Sequence, residues 1–403
     1  MWRRAFIDAL PGPRFPVTRM FWDRLRKAPV RSGGLTRFGV RLLRSTVAPA
    51  VATACVLAAC GGSTPHSRPR PGPRVHAHPA NHRSAAGPAV EQRQRRAGGK
   101  RAAHRSRAAD RGHQGPFAVG LRVLHLVDRR RTIVLPDGVR RPRPITTIVR
   151  YPALGSARGR DILRAPAARG AGPFPLVVFG HGFAVTPAIY ARLLRAWAAA
   201  GFVVAAPVFP LENAHALGGP DERDLVNQPQ DMRVVIDRLL AADEEARGWA
   251  ARLIDRRRIA VAGQSDGGET ALALAYDRAY RDPRIRAAVL LSGARLPTGG
   301  RASLVPRGPP LLAVQGSADT IQPPAATDAF FAAVHDPKFL LTLIGAPHLA
   351  PYTTEQPQLS IVERVSTAFL RAFLGPPADR LRALDALGLA ARRPGLATLL
   401  ARP

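Results

Sequence analysis

The chain has 403 residues, of which 46% are hydrophobic, and its formal net charge is +32. That length accommodates one large α/β domain or two smaller ones, and the apolar content is sufficient for a sizeable core. The basic excess does not indicate a nucleic-acid partner, because aromatic residues do not interleave with the basic runs. The two cysteines, Cys55 and Cys60, both lie near the N-terminus, which excludes disulfides and cysteine nucleophiles from the rest of the chain.

Residues 1–60 have the pattern of a basic extension followed by an export signal. Residues 45–59 are uncharged and mostly apolar, they follow three arginines, and they are too few for a good transmembrane helix. The stretch ends Leu57-Ala58-Ala59-Cys60-Gly61, which resembles the bacterial lipobox. That resemblance implies lipidation of Cys60 and anchoring at the outer face of the cell membrane. The alternative is an ordinary secretory signal with an incidental cysteine, and thus a secreted protein.

Residues 61–115 are rich in Pro, Gly, Arg, His, Ser and Ala and contain few large apolar side chains. Such a segment buries too little surface to offset its ordering entropy, so we predict a disordered basic tether. Its histidines are irregularly spaced and predict no metal site.

In residues 116–375, short apolar runs alternate with helical patterns, and we predict that this segment is the catalytic domain. This alternation predicts an α/β fold, with a mostly parallel sheet of about eight strands and helices on both faces. The first two strands lack a long helix between them, so we expect them to be antiparallel at one sheet edge. For residues 376–403 the alternatives are a helix packed on the domain and a frayed tail, and we expect weak order. The predicted strands are 119–126, 145–151, 174–180, 202–207, 259–263, 287–292, 310–316 and 338–344. The predicted helices are 186–200, 228–243, 268–280, 325–335 and 358–374.

A nucleophile elbow is predicted at Ser265. The strand IAVAG leads into Gly263-Gln264-Ser265-Asp266-Gly267-Gly268, and a helical pattern follows. A G-x-S-x-G sequence is weak evidence alone, but the strand before it and the helix after it are the context that the elbow requires. The small residues at 263 and 267 let strand and helix approach closely, and the helix N-terminus favours developing negative charge.

A serine nucleophile needs a base that is held by a carboxylate, and this fold places them in the order Ser, acid, His. Asp319 follows the strand LLAVQG, and His348 follows the strand FLLTLIG. We therefore expect Ser265, Asp319 and His348 to meet at one sheet edge. The alternatives are a turn or helix-capping aspartate at 319 and a structural histidine at 348.

Two backbone amides are expected to form an oxyanion hole. One belongs to Asp266, the residue after the nucleophile. The other comes from the loop Gly180-His181-Gly182-Phe183, with Phe183 the first choice and Gly182 the second. For the His181 side chain we expect a role in stabilising this loop.

Residues from about Thr147 to Leu374 resemble the α/β-hydrolase branch that includes dienelactone-hydrolase-like proteins, chlorophyllases, platelet-activating-factor acetylhydrolases and actinobacterial polyester-degrading cutinases. The resemblance implies a triad of Ser265, Asp319 and His348, no cofactor, and hydrolysis of acyl esters. Gln264 departs from the commoner histidine of the elbow, and Asp266 places a carboxylate beside the expected oxyanion hole. The features that carry the resemblance are Arg150-Tyr151-Pro152, Gly180–Phe183, Gly201-Phe202-Val203-Val204, Gly263–Gly268, Asp319 and Gly345–His348.

We therefore expect a monomeric serine hydrolase that cleaves small to medium carboxylic esters through an acyl-enzyme intermediate. One alternative is a serine peptidase or amidase of the same fold, although nothing in the chain resembles a propeller domain. The other is a catalytically inactive, membrane-anchored binding protein. Loss of a triad member would be the signature of that class, yet all three positions are filled.

Overall fold

The computed structural model describes residues 116–296 and 303–403. The predicted signal, the lipidation site Cys60 and the basic tether 61–115 lie outside these residues, so the anchor stays a prediction. Within the two described ranges, no helix combines the length and apolarity that a membrane crossing requires.

The described chain forms one sheet of ten strands in the order β10-β9-β8-β7-β6-β4-β5-β2-β1-β3. The run from β9 to β5 is parallel throughout, and its strands are largely buried on both faces. The strands are β1 (Phe117–Val134), β2 (Arg140–Ser156), β3 (Asp161–Leu163), β4 (Phe174–Gly180), β5 (Val203–Pro207), β6 (Ile254–Gln264), β7 (Ile285–Leu291), β8 (Leu311–Gly316), β9 (Lys338–Leu343) and β10 (Ala397–Arg402).

The predicted α/β fold is confirmed, including the antiparallel pair near one edge. Strand β1 pairs with β2, and β2 pairs with β5, both antiparallel. Both early strands are longer than predicted, because they continue into a hairpin whose turn is closed by the Leu135 amide donating to the Val139 carbonyl at 3.0 Å.

Helices cover both faces of the sheet, and each face has its own apolar cluster. Met232, Leu272 and Phe330 belong to the cluster on one face of the sheet. Trp197 and Phe369 belong to the opposite cluster. The α-helices are α1 (Ala191–Ala199), α2 (Gln228–Glu244), α3 (Asp266–Tyr276), α4 (Pro324–Ala333), α5 (Ala350–Thr353), α6 (Gln358–Leu374) and α7 (Arg380–Ala391).

The expectation of weak order for residues 376–403 is wrong. This segment forms helix α7, which buries Leu387 and Ala391, and then strand β10, which pairs antiparallel with β9. The arginines and small residues hide this order from a local pattern, because the strand is stabilised by pairing with a distant sheet edge.

The strand order places the predicted site at a topological switch point. The chain leaves β4 for β5 on one side and returns to β6 on the other. Residues that follow β4 and β6 therefore lie side by side at the carboxyl edge, where open α/β sheets bind ligands. The pairing of Gly180 with Gly263 fixes this juxtaposition.

Candidate active site

Ser265 occupies a strained turn between β6 and α3. Its φ is 55° and its ψ is −125°, a conformation that non-glycine residues rarely adopt. The Ser265 amide donates to the Leu291 carbonyl at the end of β7, and the Ser265 carbonyl accepts from the Glu269 amide in α3, both at 3.0 Å. Glycine is required on both sides: a Cβ on Gly263 would lie 2.0 Å from the Gly267 oxygen, and a Cβ on Gly267 would lie 2.1 Å from the Gly180 oxygen.

The structure brings Ser265, His348 and Asp319 together in one chain of contacts. The His348 Nε2 atom lies 2.9 Å from the Ser265 Oγ atom. The His348 Nδ1 atom lies 2.8 Å from the Asp319 Oδ2 atom. All three side chains are buried, at 7%, 4% and 3% exposure for Ser265, His348 and Asp319. The geometry is that of a hydroxyl beside a base which a carboxylate orients.

Backbone contacts hold the acid loop and the histidine loop against each other. After β8, the Ser317 amide donates to the Leu343 carbonyl at 2.9 Å, and the Ala318 amide donates to the Ala346 carbonyl at 3.1 Å. In return, the Gly345 amide donates to the Ser317 hydroxyl at 2.8 Å. Because both loops leave neighbouring parallel strands, these bonds hold Asp319 and His348 together although they are 29 positions apart in the sequence.

Asp319 is held as a carboxylate. Burial raises its pKa, but hydrogen bonds from His348 and from nearby donors outweigh burial and hold the pKa of Asp319 below its usual value. The Asp319 Oδ1 atom accepts from the amides of Ile321 at 3.0 Å and Gln322 at 2.9 Å. A fixed carboxylate of this kind selects the histidine tautomer that carries its proton on Nδ1.

The residues expected to form an oxyanion hole lie next to Ser265. Asp266 is the first residue of α3, so its amide is among those that have no acceptor within the helix. The loop after β4 is close as well, because a Cβ on Gly182 would lie 3.1 Å from the Ser265 Cβ. The Gly182 amide points to the Tyr190 hydroxyl at 3.4 Å, which favours Phe183 over Gly182 as the second donor.

His181 stabilises the loop, as its sequence position indicates. Its Nε2 atom accepts from the Phe209 amide at 3.0 Å, and its Nδ1 atom lies 2.8 Å from the Gly182 carbonyl oxygen. Complete burial lowers the pKa of His181 to about 4, so the ring is neutral and donates through Nδ1. His181 therefore joins the loop after β4 to the loop after β5.

Sequence reasoning missed the significance of Glu212. Its side chain is fully buried, and among the described residues its carboxyl oxygens have no donor other than the neighbouring Asp266 carboxyl. Burial, followed by the hydrogen-bonded Asp266 carboxyl, raises the pKa of Glu212 to about 12. Burial also raises the pKa of Glu269, one turn along α3, well above its usual value. Glu212 lies in an irregular loop, so no periodic pattern indicates its burial.

Replacing Glu212 with glutamine is expected to flatten the dependence of stability on pH. The folded state keeps a proton that the unfolded chain releases above about pH 4.5. This contribution to stability is complete below that pH and is lost as the pH rises toward 12, by up to about 1.4 kcal/mol per pH unit. Glutamine also donates to a carboxylate but has no proton to release.

Urea unfolding at pH 5 and pH 8 measures the effect. Between pH 5 and pH 8, the free energy of unfolding of the wild type should fall by up to about 4 kcal/mol more than that of Glu212→Gln. Glu245→Gln makes the same formal change on an exposed side chain and should behave like the wild type. Equal losses in the wild type and Glu212→Gln would show that residue 212 is ionised in the folded protein.

A mostly parallel sheet with helices on both faces and a strained serine between β6 and α3 are the features of the α/β-hydrolase fold. Comparison with family models matches residues 158–322 to the family described as Chlorophyllase. This match confirms the superfamily expected from the sequence and is consistent with the chlorophyllase-containing branch. It includes Ser265 and Asp319 but ends before His348. A search of curated proteins returned no significant match.

Proposed function

We propose that the protein is a serine hydrolase of carboxylic esters and that Ser265, His348 and Asp319 form its catalytic triad. The observation that carries the proposal is the contact chain from Ser265 Oγ to His348 Nε2, at 2.9 Å, and from His348 Nδ1 to Asp319 Oδ2, at 2.8 Å. Both distances lie within hydrogen-bond reach, as general-base activation of a nucleophile requires.

The mechanism moves one proton back and forth through His348. Its Nε2 atom takes the proton of the Ser265 hydroxyl while Oγ attacks the ester carbonyl. The amides of Asp266 and Phe183 stabilise the oxyanion that forms. His348 then gives the proton to the leaving alcohol, and an acyl-Ser265 ester remains. Water attacks this ester with His348 again as base, which releases the carboxylic acid and restores the serine.

Small to medium acyl esters are the proposed substrates. Support comes from the match to the Chlorophyllase family model, which indicates ester hydrolysis, and from the burial of the triad side chains.

Labelling with a fluorophosphonate probe tests the proposal. The probe reacts with activated serines, so we expect covalent labelling of the wild type and none of Ser265→Ala. Ser303→Ala makes the same change at an exposed position and should be labelled normally. An unlabelled wild type would favour an inactive binding protein and would contradict the proposal.

A substrate panel separates esterase from peptidase. We expect p-nitrophenyl esters of short and medium acyl length to be hydrolysed and aminoacyl p-nitroanilides to be hydrolysed far more slowly. Faster turnover of the anilides would assign the same triad to a peptidase or amidase.

A further inference from the structure

Gln264 lies at the end of β6, immediately before Ser265, and its buried amide group contacts two other parts of the chain. Its Oε1 atom accepts a hydrogen bond from the Tyr190 hydroxyl at 2.7 Å. Its Nε2 atom donates to the backbone carbonyl of His348 at 3.0 Å and lies 3.3 Å from the imidazole Nε2 atom of the same residue. Gln264 therefore touches both the backbone and the ring of His348.

Tyr190 fixes the orientation of the Gln264 amide. The tyrosine is fully buried and packs on Phe179, with ring centroids 4.9 Å apart. Burial raises the pKa of Tyr190 above its usual value, so the hydroxyl keeps its proton and donates it to the Gln264 Oε1 atom. With the oxygen committed to Tyr190, the nitrogen of the amide must face His348. The Gly182 amide donates to the same hydroxyl at 3.4 Å, so this chain of bonds also reaches the loop after β4.

The amide nitrogen of Gln264 discriminates between the two protonation states of His348. The neutral ring offers one lone pair on Nε2, and two donors lie within reach: the Ser265 hydroxyl at 2.9 Å and the Gln264 amide at 3.3 Å. An amide nitrogen only donates. Once Nε2 carries a proton, the amide of Gln264 faces another donor, and the interaction is lost. Gln264 thus favours the neutral imidazole.

The acidic groups around the ring act in the opposite direction. Asp319 contacts the imidazole directly, and the Asp266 Oδ1 atom lies 3.5 Å from the Ser265 hydroxyl. A carboxylate in direct contact favours a protonated imidazole. Glu212 and Glu269 lie close to Asp266, and burial raises the pKa of both, which disfavours their charged forms. At the ring itself, the Asp319 carboxylate therefore acts in the opposite direction to the Gln264 amide.

We propose that Gln264 is a positioning residue that holds the histidine loop through the His348 carbonyl and orients the imidazole so that its Nε2 atom faces Ser265. This inference rests on the proposed function, because it assigns His348 the role of base.

Kinetics of three variants on p-nitrophenyl acetate test the proposal. Gln264→Met removes both hydrogen bonds to His348, and we expect kcat to fall about 10- to 100-fold with a smaller change in KM. The pH at half-maximal kcat/KM on the acid side should rise by roughly one unit. Gln264→Glu keeps the shape of the side chain but supplies an acceptor for the protonated ring, so the pH at half-maximal kcat/KM on the acid side should rise further. Tyr190→Phe removes the hydroxyl that orients the Gln264 amide. In that variant kcat should fall and the acid-side pH should rise, each by less than in Gln264→Met.

Gln230→Met on α2 is the matched control, since it makes the same change on a partly exposed side chain that contacts Arg233. Its kcat and its pH profile should equal those of the wild type. Wild-type kcat and an unmoved acid limb in folded Gln264→Glu and Tyr190→Phe would overturn the proposal, whatever the stability of Gln264→Met. A wild type that the fluorophosphonate fails to label would instead overturn the proposed function itself, so the two failures are distinguishable.

Discussion

Replacing Ser265 with alanine is expected to lower kcat for ester hydrolysis by about 10⁴- to 10⁶-fold. The reason is chemical: alanine leaves His348 with no hydroxyl to deprotonate, while the backbone amides that stabilise the oxyanion stay in place. The residual rate then comes from those amides and from substrate binding alone. Stopped-flow or long-time assays with a p-nitrophenyl ester cover the required range.

The expected loss is specific to chemistry and should leave the fold intact. Ser265 makes its turn through backbone bonds, namely its amide to the Leu291 carbonyl and its carbonyl to the Glu269 amide, both at 3.0 Å. Alanine keeps both backbone hydrogen bonds, so we expect the melting temperature to change little. Ser303→Ala should retain wild-type kcat. A Ser265→Ala variant with near-native turnover would require another nucleophile and would remove the basis of the proposed mechanism.

The meeting of Ser265, Asp319 and His348 could be predicted because the signals are local. Each residue lies just beyond the end of an apolar run, and in a parallel sheet the ends of such runs share one edge. The predicted strands β4 to β9 agree with the structure to within a few residues for the same reason: each is a continuous apolar segment between helical patterns. The flanks of the elbow were decisive, since glycines are common throughout this chain.

Other parts of the structure depend on contacts that no local pattern encodes. Strand β3 has only three residues, which is too few for a recognisable pattern. Strand β10 is a strand because Ala397–Arg402 pairs antiparallel with the edge of β9. Glu212 is buried because the irregular loop that carries it folds back, with its carbonyl accepting from the Ala184 amide at 3.0 Å. The sequence identified Gln264 as a departure from the commoner histidine, but only its contacts show what the departure does.

Acidic residues lie beside the proposed oxyanion hole, and burial reduces the electrostatic repulsion that they would exert on an oxyanion. Asp266 and Glu269 lie in the first turn of α3, and Glu212 packs against Asp266. Three ionised carboxylates here would oppose the negative charge that develops during ester hydrolysis. Because burial raises the pKa of Glu212 and Glu269, it disfavours their charged forms and reduces that repulsion. The helix N-terminus, which favours negative charge, offsets part of the remainder.

Replacing Arg143 with methionine is expected to destabilise the fold by about 3–5 kcal/mol. Arg143 is 2% exposed on β2 and binds two buried carboxylates. Its guanidinium donates to both oxygens of Asp224, at 2.9 and 2.5 Å, and to both oxygens of Asp231, at 2.7 and 2.6 Å. Methionine fills much of the same volume but leaves Asp224 without this cation and Asp231 with only the Arg131 pair at 2.6 Å.

Urea unfolding, followed by circular dichroism at neutral pH, measures this cost. Arg141→Met, two residues away on the same strand and exposed, should change stability by less than about 0.5 kcal/mol. The mechanism also predicts a rescue: Arg143→Met combined with Asp224→Asn and Asp231→Asn should be more stable than Arg143→Met alone, because the uncompensated buried charges are gone. A triple variant less stable than the single one would show that the cost comes from lost packing of the arginine side chain rather than from stranded carboxylates.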